Sequence, residues 1–172
     1  MPERVAITGP PGSGKSTLVK KVIDLLGRRA GGVLAREVRR GRERTGFLLE
    51  DLLTGDQGTL ASLDGPGPKV GRYRVCLRDL EEVGAEAVER AVREAEVVVI
   101  DEVGPMELLS GPFTGAVEAA LASDKAMLVV VHAKSSHPLA ERIRMELRLF
   151  VVTEESRDRL PEEVISALAP QL

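Results

Sequence analysis

The stretch of sequence that decides the fold lies near the start of the chain and reads Gly9-Pro10-Pro11-Gly12-Ser13-Gly14-Lys15-Ser16. It matches the pattern G-x-x-x-x-G-K-[ST], and Thr17 follows it directly. The glycines let the backbone wrap around an anion, so that its N–H groups and the N-terminus of the following helix face one ligand. The spacing therefore predicts a loop that binds the phosphates of a nucleoside triphosphate.

The residues on either side of the loop have the pattern that this motif requires. An apolar run at residues 4–8 precedes it, and apolar side chains follow at helical spacing at Val19, Val22, Ile23 and Leu26. A turn that matches the motif by chance lacks this context. We expect Lys15 to reach the β- and γ-phosphates and Ser16 to offer its hydroxyl to Mg²⁺.

Composition indicates an ordinary globular protein. The chain has 172 residues, 43% of them hydrophobic, and a formal net charge of −3, which does not favour a dedicated nucleic-acid binder. We expect one domain over residues 1–172. Cys76 is the single cysteine, and neither a signal peptide nor a membrane-spanning run is evident. These features predict a cytoplasmic protein that does not bind membranes, with a monomer favoured.

The amide-bearing residues are scarce. The sequence contains no asparagine, and its two glutamines are Gln57 and Gln171. Depletion of heat-labile amides is typical of proteins from thermophiles. The composition therefore predicts a thermophilic source and a high unfolding midpoint; high-GC codon bias, which explains the excess of arginine over lysine equally well, is the alternative.

The region that follows the first helix has the alternation and turn residues of short antiparallel strands. The predicted strands cover residues 33–38, 45–53 and 71–77, and residues 55–63 are interpreted as part of a hairpin. Charged residues at 39–44 predict a turn, and the glycines and prolines of 64–68 predict a loop. This region is interpreted as an antiparallel, hairpin-like insertion.

The second half of the chain returns to alternating strands and helices. Continuous apolar runs at 97–100, 127–131 and 149–152 are typical of strands that are buried on both faces of a parallel sheet. Helical spacing predicts buried helix faces at Val83, Ala87, Val88, Ala91 and Ala95, at Phe113, Val117, Ala120 and Leu121, at Leu139, Ile143 and Leu147, and, after Pro161, at Val164, Ile165 and Leu168. The predicted fold class is α/β, with a mainly parallel sheet flanked by helices.

Two acids follow the run at 97–100. Asp101 and Glu102 are expected at the carboxyl end of a buried strand, where open α/β sheets bind ligands. Asp101 is predicted to contact Mg²⁺, and Glu102 to act as the general base on the attacking water. Two acids that merely end a strand at the surface are the alternative. The second acid favours a hydrolase over a kinase, because a kinase must exclude water.

Several segments resemble one known family. The stretch 101–108, Asp-Glu-Val-Gly-Pro-Met-Glu-Leu, looks like the metal-strand motif of the small nucleoside-triphosphatases first described in thermophiles, also known as cancer-related nucleoside-triphosphatases. Residues 36–39, 44–47 and 71–75 resemble further family segments. The stretch 152–158 is similar to a late family motif, with Ser156 where asparagine is usual. The resemblance spans nearly the whole chain in order and spacing.

This resemblance implies a RecA-like P-loop fold and slow, Mg²⁺-dependent hydrolysis of ATP, GTP, CTP, UTP and deoxynucleoside triphosphates to diphosphate and phosphate. It also implies that Thr153 and Arg157 stack on or bond to the base. Within the arginine cluster of residues 36–44, it singles out Arg39 and Arg44 as candidate contacts to the nucleotide. A solvated turn is the alternative for that cluster.

Weaker candidates lie elsewhere. His132 follows a predicted strand and is either a γ-phosphate sensor or an ordinary strand-end histidine, and His137 is expected to be a turn or cap residue. Arg142, Arg144 and Arg148 are either transition-state arginines or partners of Glu141 and Glu146 in helix salt bridges, which the spacing favours. Glu107 is expected to support the loop after the acidic strand.

Two other functions remain open at this point. A nucleotide or polynucleotide kinase would use the arginine cluster to bind its acceptor, although no lid insertion is evident. A nucleotide-dependent switch that binds nucleic acid would show salt-sensitive affinity for RNA or DNA.

Overall fold

A single sheet of nine strands organises the chain in a computed structural model that describes residues 3–169. The strands are β1 Arg4–Thr8, β2 Ala30–Arg40, β3 Glu43–Asp51, β4 Gln57–Ser62, β5 Lys69–Val70, β6 Tyr73–Val75, β7 Val97–Val103, β8 Ala126–Val131 and β9 Arg148–Val151. Their spatial order is β5-β6-β4-β3-β2-β7-β8-β1-β9. The ends of the predicted domain, residues 1–2 and 170–172, lie outside the described residues.

Five strands form a parallel half of the sheet. β1 lies between β8 and β9, β8 lies between β1 and β7, and the first part of β2 pairs with the other side of β7. The apolar runs of β7 and β8 are fully buried because helices cover both faces. The prediction of a parallel core flanked by helices is confirmed.

The helices are α1 Lys15–Leu25, α2 Leu77–Asp79, α3 Glu86–Glu94, α4 Gly111–Ala122, α5 Pro138–Glu146 and α6 Leu160–Leu168, with a π-helical turn at Leu80–Ala85 and a 3-10 turn at Glu107–Leu109. α1 and α6 cover one face of the parallel half. α3, α4 and α5 cover the other. None of the helices within residues 3–169 has the length and apolar character needed to cross a membrane.

The other four strands form an antiparallel half. β3 pairs with the outer part of β2, β4 with β3, β6 with β4, and β5 with β6. This arrangement confirms the antiparallel insertion, which is larger than one hairpin. We call residues 35–48, the protruding β2–β3 hairpin, the ribbon.

Several predicted boundaries were wrong. The turn predicted at 39–44 is confined to residues 41–42, because β2 and β3 remain paired as far as Arg40 and Glu43. The strand predicted at 45–53 ends at Asp51, whose carboxylate accepts hydrogen bonds from the backbone N–H groups of Leu53 and Thr54 and so forms a turn. The strand predicted at 71–77 is limited to β6. α6 begins one residue before Pro161.

The acidic pair also lies differently from the prediction. Asp101 and Glu102 belong to β7 and do not follow it, because pairing with both neighbours continues past Ile100. Leu34 of β2 pairs with Asp101, and Val131 of β8 pairs with Val103. Both acids still lie at the carboxyl end of the strand.

Candidate nucleotide site

The glycine-rich loop connects β1 to α1 at the carboxyl edge of the parallel half. Gly12 and Gly14 have φ angles of 74° and 99°, which side chains with a Cβ rarely adopt. No side chain caps the N-terminus of α1, and its first turn contains no acidic residue. The first backbone N–H groups of the helix are therefore available to an anion.

Polar atoms inside the loop fit a phosphate ligand. The Lys15 ammonium donates hydrogen bonds to the carbonyl oxygens of Gly9, at 2.7 Å, and Pro10, at 3.2 Å. The side-chain hydroxyls of Thr8 and Ser13 are buried and have no hydrogen-bond partner among the described residues. Buried hydroxyls normally have partners, so a ligand that accepts hydrogen bonds suits this position.

A direct contact joins the loop to the acidic strand. The hydroxyl of Ser16 donates a hydrogen bond of 2.9 Å to Oδ2 of Asp101, whose side chain is almost fully buried. Burial raises the pKa of Asp101 to about 6, the charge of Glu102 raises it further, and the Ser16 hydrogen bond opposes the shift. A hydroxyl and a carboxylate at this spacing are the hard oxygen ligands that Mg²⁺ prefers.

Glu102 and Glu107 form a carboxyl pair around the backbone of Gly104. Glu107 is 3% exposed and accepts a hydrogen bond of 3.2 Å from the backbone N–H of Gly104, which confirms its predicted support of this loop. Burial raises the pKa of Glu107 well above its usual value, and the charges of Glu102 and Asp101 raise it further. Burial also raises the pKa of Glu102, while the Lys15 ammonium lowers it. Burial thus opposes ionisation of both acids, and the charge of Lys15 favours the ionised form of Glu102.

His132 lies in the loop after β8, between the phosphate loop and the acidic strand. Its backbone N–H donates to the carbonyl oxygen of Val103 at 3.1 Å, and its Nδ1 accepts from the backbone N–H of Lys134 at 3.2 Å. Burial lowers the pKa of His132, and the nearby ammonium of Lys15 lowers it further. His137 caps α5 as predicted, because its Nδ1 accepts from the backbone N–H of Leu139 at 3.1 Å.

The three arginines near α5 have three different environments. Arg142 forms the predicted salt bridge with Glu146, at 2.6 Å. The salt bridge favoured for Arg144 was wrong, because its guanidinium donates instead to the carbonyl oxygens of His132 and Ser135. Arg148 stacks on the ring of Phe150, 5.2 Å from its centroid. Charge spacing along the helix did not predict the Arg144 contacts, because the partners are backbone carbonyls of the loop that precedes α5, and a carbonyl has no signature in the sequence.

The late segment lies beside α1. Buried Ser156 organises its turn: the hydroxyl accepts from the backbone N–H of Thr153 at 2.9 Å and donates to the carbonyl oxygen of Val151 at 3.0 Å. Arg157 lies on a groove of about 250 Å³ that is also lined by Gly14, Thr17, Leu18, Lys21, Asp158 and Pro161. The sequence motifs pointed to Arg157 and Thr17 but not to Lys21 and Asp158. Charged residues at these two positions are also typical of an ordinary exposed surface.

Arg39 and Arg44 lie on the ribbon and away from the phosphate loop. Arg39 is five residues beyond Leu34, the last β2 residue paired with β7, which is roughly 16 Å along the strand. Both guanidinium groups pair with Glu37, and Arg44 also donates to the Tyr73 hydroxyl at 2.9 Å. None of the contacts within residues 3–169 joins either arginine to the loop, and their nucleotide contacts stay a prediction.

Comparison with known proteins gives a consistent result over nearly the whole chain. The model of the family described as NTPase matches residues 4–165. The nucleoside-triphosphatase THEP1 of Methanosarcina acetivorans is 45% identical over 173 residues, which cover 98% of this chain and 98% of that relative.

Two solved structures are also similar. The crystal structure of THEP1 from the hyperthermophile Aquifex aeolicus has a TM-score of 0.85 and 35% identity, covering 97% of this chain and 99% of that one. The solution structure of a human cancer-related nucleoside triphosphatase has a TM-score of 0.79 and 32% identity, covering 96% and 97%.

The loop, the uncapped helix and the acidic strand end together define a P-loop nucleotide-binding protein. The sheet order, with β8 between the strands that carry the loop and the acids, fits the predicted RecA-like arrangement. The chain belongs to the NTPase family, whose members similar to it include the THEP1 nucleoside-triphosphatases. The predictions of the family, the fold and an enzyme of this class are confirmed.

Proposed function

We propose that this protein hydrolyses nucleoside triphosphates, including ATP and GTP, to nucleoside diphosphate and phosphate in the presence of Mg²⁺. The observation that carries the proposal is the 2.9 Å hydrogen bond from Ser16 to Asp101. It joins the end of the phosphate loop to a buried carboxylate, and Glu102 follows that carboxylate directly in the chain. One oxygen pair could thus hold Mg²⁺, and the next residue is an acid that could accept a proton from the attacking water.

Each residue has a defined role in this reaction. Lys15 leaves the carbonyl oxygens of Gly9 and Pro10 to bind the β- and γ-phosphates, and its charge stabilises the negative charge that develops on them. Glu102 accepts the proton of the attacking water, whose oxygen bonds to the γ-phosphorus as the bond to the diphosphate oxygen breaks. Ser16 and Asp101 would hold Mg²⁺, which supplies positive charge to the β- and γ-phosphate oxygens when bound.

The groove beside α1 supports broad base tolerance. Its polar side chains, including Thr17, Lys21, Arg157 and Asp158, are exposed and lie on one open side. An arginine can stack on any base because every base has a π-face. We therefore assign the base to this groove, with Arg157 as the stacking residue and Thr153 beside it, and expect CTP, UTP and deoxynucleoside triphosphates to be substrates as well.

We further propose that the protein is active as a monomer. The single cysteine, Cys76, is compatible with a reducing cytoplasm. The absence of asparagine from the sequence supports a thermophilic origin, and an unfolding midpoint well above the range of mesophilic proteins would agree with it.

The experiment that tests the proposal measures phosphate release from ATP, GTP, CTP, UTP and deoxynucleoside triphosphates, with Mg²⁺ or with EDTA. It compares the wild-type protein with Glu102→Gln and with the control Glu155→Gln, which changes an exposed acid in the late segment. Parallel reactions contain nucleoside monophosphates or a 5′-hydroxyl oligonucleotide as possible phosphoryl acceptors. Binding of a fluorescent, non-hydrolysable ATP analogue is measured for all three proteins.

We expect Mg²⁺-dependent release from several triphosphates without an acceptor. Glu102→Gln should lower kcat by about a hundredfold or more with the analogue still bound, because a general base contributes about 10²–10⁴ to such rates. Glu155→Gln should behave as the wild type. Phosphate that appears only on an acceptor would instead identify a kinase, and release that requires nucleic acid would identify a regulated switch.

A further inference from the structure

The loop that follows β8 occupies the centre of the candidate site. In the sheet register, Val130 of β8 is level with Ile7 of β1 on one side and with Asp101 of β7 on the other. His132 therefore lies two residues beyond that level, beside the start of the phosphate loop at Gly9. A side chain in this position is close to both the phosphate loop and the acidic end of β7.

The backbone and ring of His132 are both fixed. Its N–H is bound to the carbonyl oxygen of Val103, and its Nδ1 accepts the backbone N–H of Lys134. A ring nitrogen that accepts a hydrogen bond carries no proton, so the neutral ring carries its proton on Nε2. This assignment makes Nε2 a hydrogen-bond donor, which is the type of group that a phosphate oxygen requires.

Arg144 determines the shape of this loop. From α5, its Nη1 donates to the carbonyl oxygen of His132 and its Nη2 to that of Ser135, both at 2.6 Å. One planar guanidinium thus connects the first and fourth residues of the loop, and its rigid fork holds the two carbonyls at a fixed separation. Both terminal nitrogens are occupied, so Arg144 is poorly placed to contact a phosphate itself.

We propose that Arg144 is a positioning residue for triphosphate hydrolysis, which holds the loop so that Nε2–H of His132 donates to the triphosphate. This inference rests on the proposed function, since it names residues that act at the same site. It assigns Arg144 a role different from that of a transition-state arginine, which must approach the phosphate directly.

Arg142 provides a matched control on the same helix. It lies two residues before Arg144, and its guanidinium forms an exposed salt bridge with Glu146. Arg142→Ala removes an arginine and one ion pair from α5 without affecting the β8 loop. It therefore reports any general effect of lowering the positive charge of this helix.

The kinetic experiment measures kcat and KM for MgATP in wild type, Arg144→Ala, Arg144→Lys, His132→Ala, the His132→Ala/Arg144→Ala double variant and Arg142→Ala. We expect Arg144→Ala to lower kcat by about tenfold to a hundredfold, because loss of one donor to a developing charge costs at most about 10²–10³. KM should change by less than about threefold. The double variant should be no slower than His132→Ala, because Arg144 acts through that residue.

Arg144→Lys should recover part of the lost kcat, because an ammonium can bind either carbonyl but cannot hold both as a planar fork does. Arg142→Ala should match the wild type. Thermal unfolding of each variant sets the assay temperature, and Arg144→Lys replaces Arg144→Ala if the latter is unfolded there. Multiplicative losses in the double variant, or an unchanged kcat in Arg144→Ala and Arg144→Lys, would overturn the proposal.

A spectroscopic measurement tests the loop without turnover. The protein has two histidines, so a long-range ¹H–¹⁵N spectrum of the imidazoles contains two ring patterns. In the wild type both rings should show the Nε2–H form, since Nδ1 of His137 also accepts a backbone N–H. Arg144→Ala should shift His132 toward a mixture of tautomers and leave His137, at the start of α5, nearly unchanged.

Addition of a non-hydrolysable triphosphate should shift Nε2 of His132 in the wild type, and much less in Arg144→Ala. An identical His132 pattern in both proteins would refute the positioning role. Wild-type protein that releases no phosphate from any triphosphate would refute the proposed function instead, and the two failures are therefore distinguishable.

Discussion

The parallel and antiparallel halves of the sheet are held together by different kinds of contact. In the parallel half, the side chains of Val97–Ile100 and Met127–Val130 are completely buried, and aliphatic packing fixes the strands. In the antiparallel half, only three of the nine β3 residues are buried, and charged residues line the ribbon. The phosphate-binding candidates lie at the rigid, aliphatic half, and the arginine cluster lies at the other.

An aromatic and cationic cluster stabilises the antiparallel half. The Arg44 guanidinium lies 5.1 Å from the ring centroid of Phe47 and 5.6 Å from that of Tyr73. The two rings meet edge to face, with centroids 5.2 Å apart, and Arg72 stacks on Tyr73 as well. Half of the four aromatic residues of the chain are in this cluster. The difference teaches that a cluster of arginines in a nucleotide-binding protein can serve packing instead of phosphate binding.

The largest effect is expected from Lys15→Ala in the parallel half. Its ammonium contacts the backbone of the phosphate loop, and its loss should lower kcat/KM for MgATP by about a thousandfold. The unfolding midpoint should change little. Steady-state kinetics and thermal unfolding measure the two quantities, with Lys20→Ala, an exposed residue on the same helix, as control. A loss of less than tenfold would remove Lys15 from the reaction.

A smaller kinetic effect is expected from Gly104→Ala. A Cβ at this position would lie 2.8 Å from Oε1 of Glu102, so the carboxylate must move. We expect kcat to fall by about tenfold to a hundredfold with little change in KM, because the base is displaced from its water. Stability should be nearly unchanged, since the flexible end of a side chain can yield.

Gly115→Ala in α4 is the matched control, because a Cβ there meets no atom within 4 Å. That substitution should leave kcat unchanged and stabilise the helix by about 0.5–1 kcal/mol. Equal kinetics in the two variants would show that the position of Glu102 is unimportant.

In the antiparallel half, Arg44→Ala should affect stability more than activity. The variant loses stacking on two rings and the hydrogen bond to Tyr73, which together stabilise the fold by about 1–2 kcal/mol. KM for MgATP should stay within about twofold. Urea unfolding and kinetics test this, with the exposed Arg40→Ala as control. A tenfold rise in KM would support the nucleotide contact predicted from the family pattern.

The smallest effect is a change in the pH dependence of stability. The pKa of Glu107 is raised in the folded protein, so the unfolded chain releases this proton first as pH rises. Its contribution to stability is complete below the unfolded pKa and is lost as pH rises toward the folded pKa. Without Mg²⁺, Glu107→Gln should therefore gain stability relative to wild type between pH 5 and pH 8. Urea unfolding at both pH values measures this difference. If the free energy of unfolding falls equally in the wild type and in Glu107→Gln, the prediction is contradicted.

The sequence predicted the parallel half better than the antiparallel half. A strand that is buried on both faces needs consecutive apolar residues, and such a run, as at 97–100, can be recognised from the local sequence alone. The ends of β2 and β3 depend on cross-strand pairing, and the end of β3 depends on hydrogen bonds from the Asp51 side chain to backbone N–H groups. Such contacts join residues that are far apart in the sequence or that form turns, and hydrophobic periodicity does not predict them.

The candidate site divides in the same way. The motif placed Lys15 and Ser16 on the loop, and the apolar run placed Asp101 at the strand end, where the structure brings it to Ser16. Arg144 was a candidate, but its contacts were predicted wrongly because its partners are backbone carbonyls, which every residue has. Arg39 and Arg44 matched the family pattern, but that pattern cannot separate a ligand contact from a packing contact.

β2 is a continuous strand of 11 residues that serves both halves. Its first residues pair with β7 as far as Asp101, and its last residues form one side of the ribbon. Because successive side chains point to opposite faces, inserting one residue after Leu34 would exchange the two faces of the ribbon, whereas inserting two would restore them. Unless a further β-bulge such as the one between Val38 and Arg39 absorbs a residue, a change in ribbon length that keeps both faces requires an even number of residues, matched on β3, while the acidic strand end keeps its place.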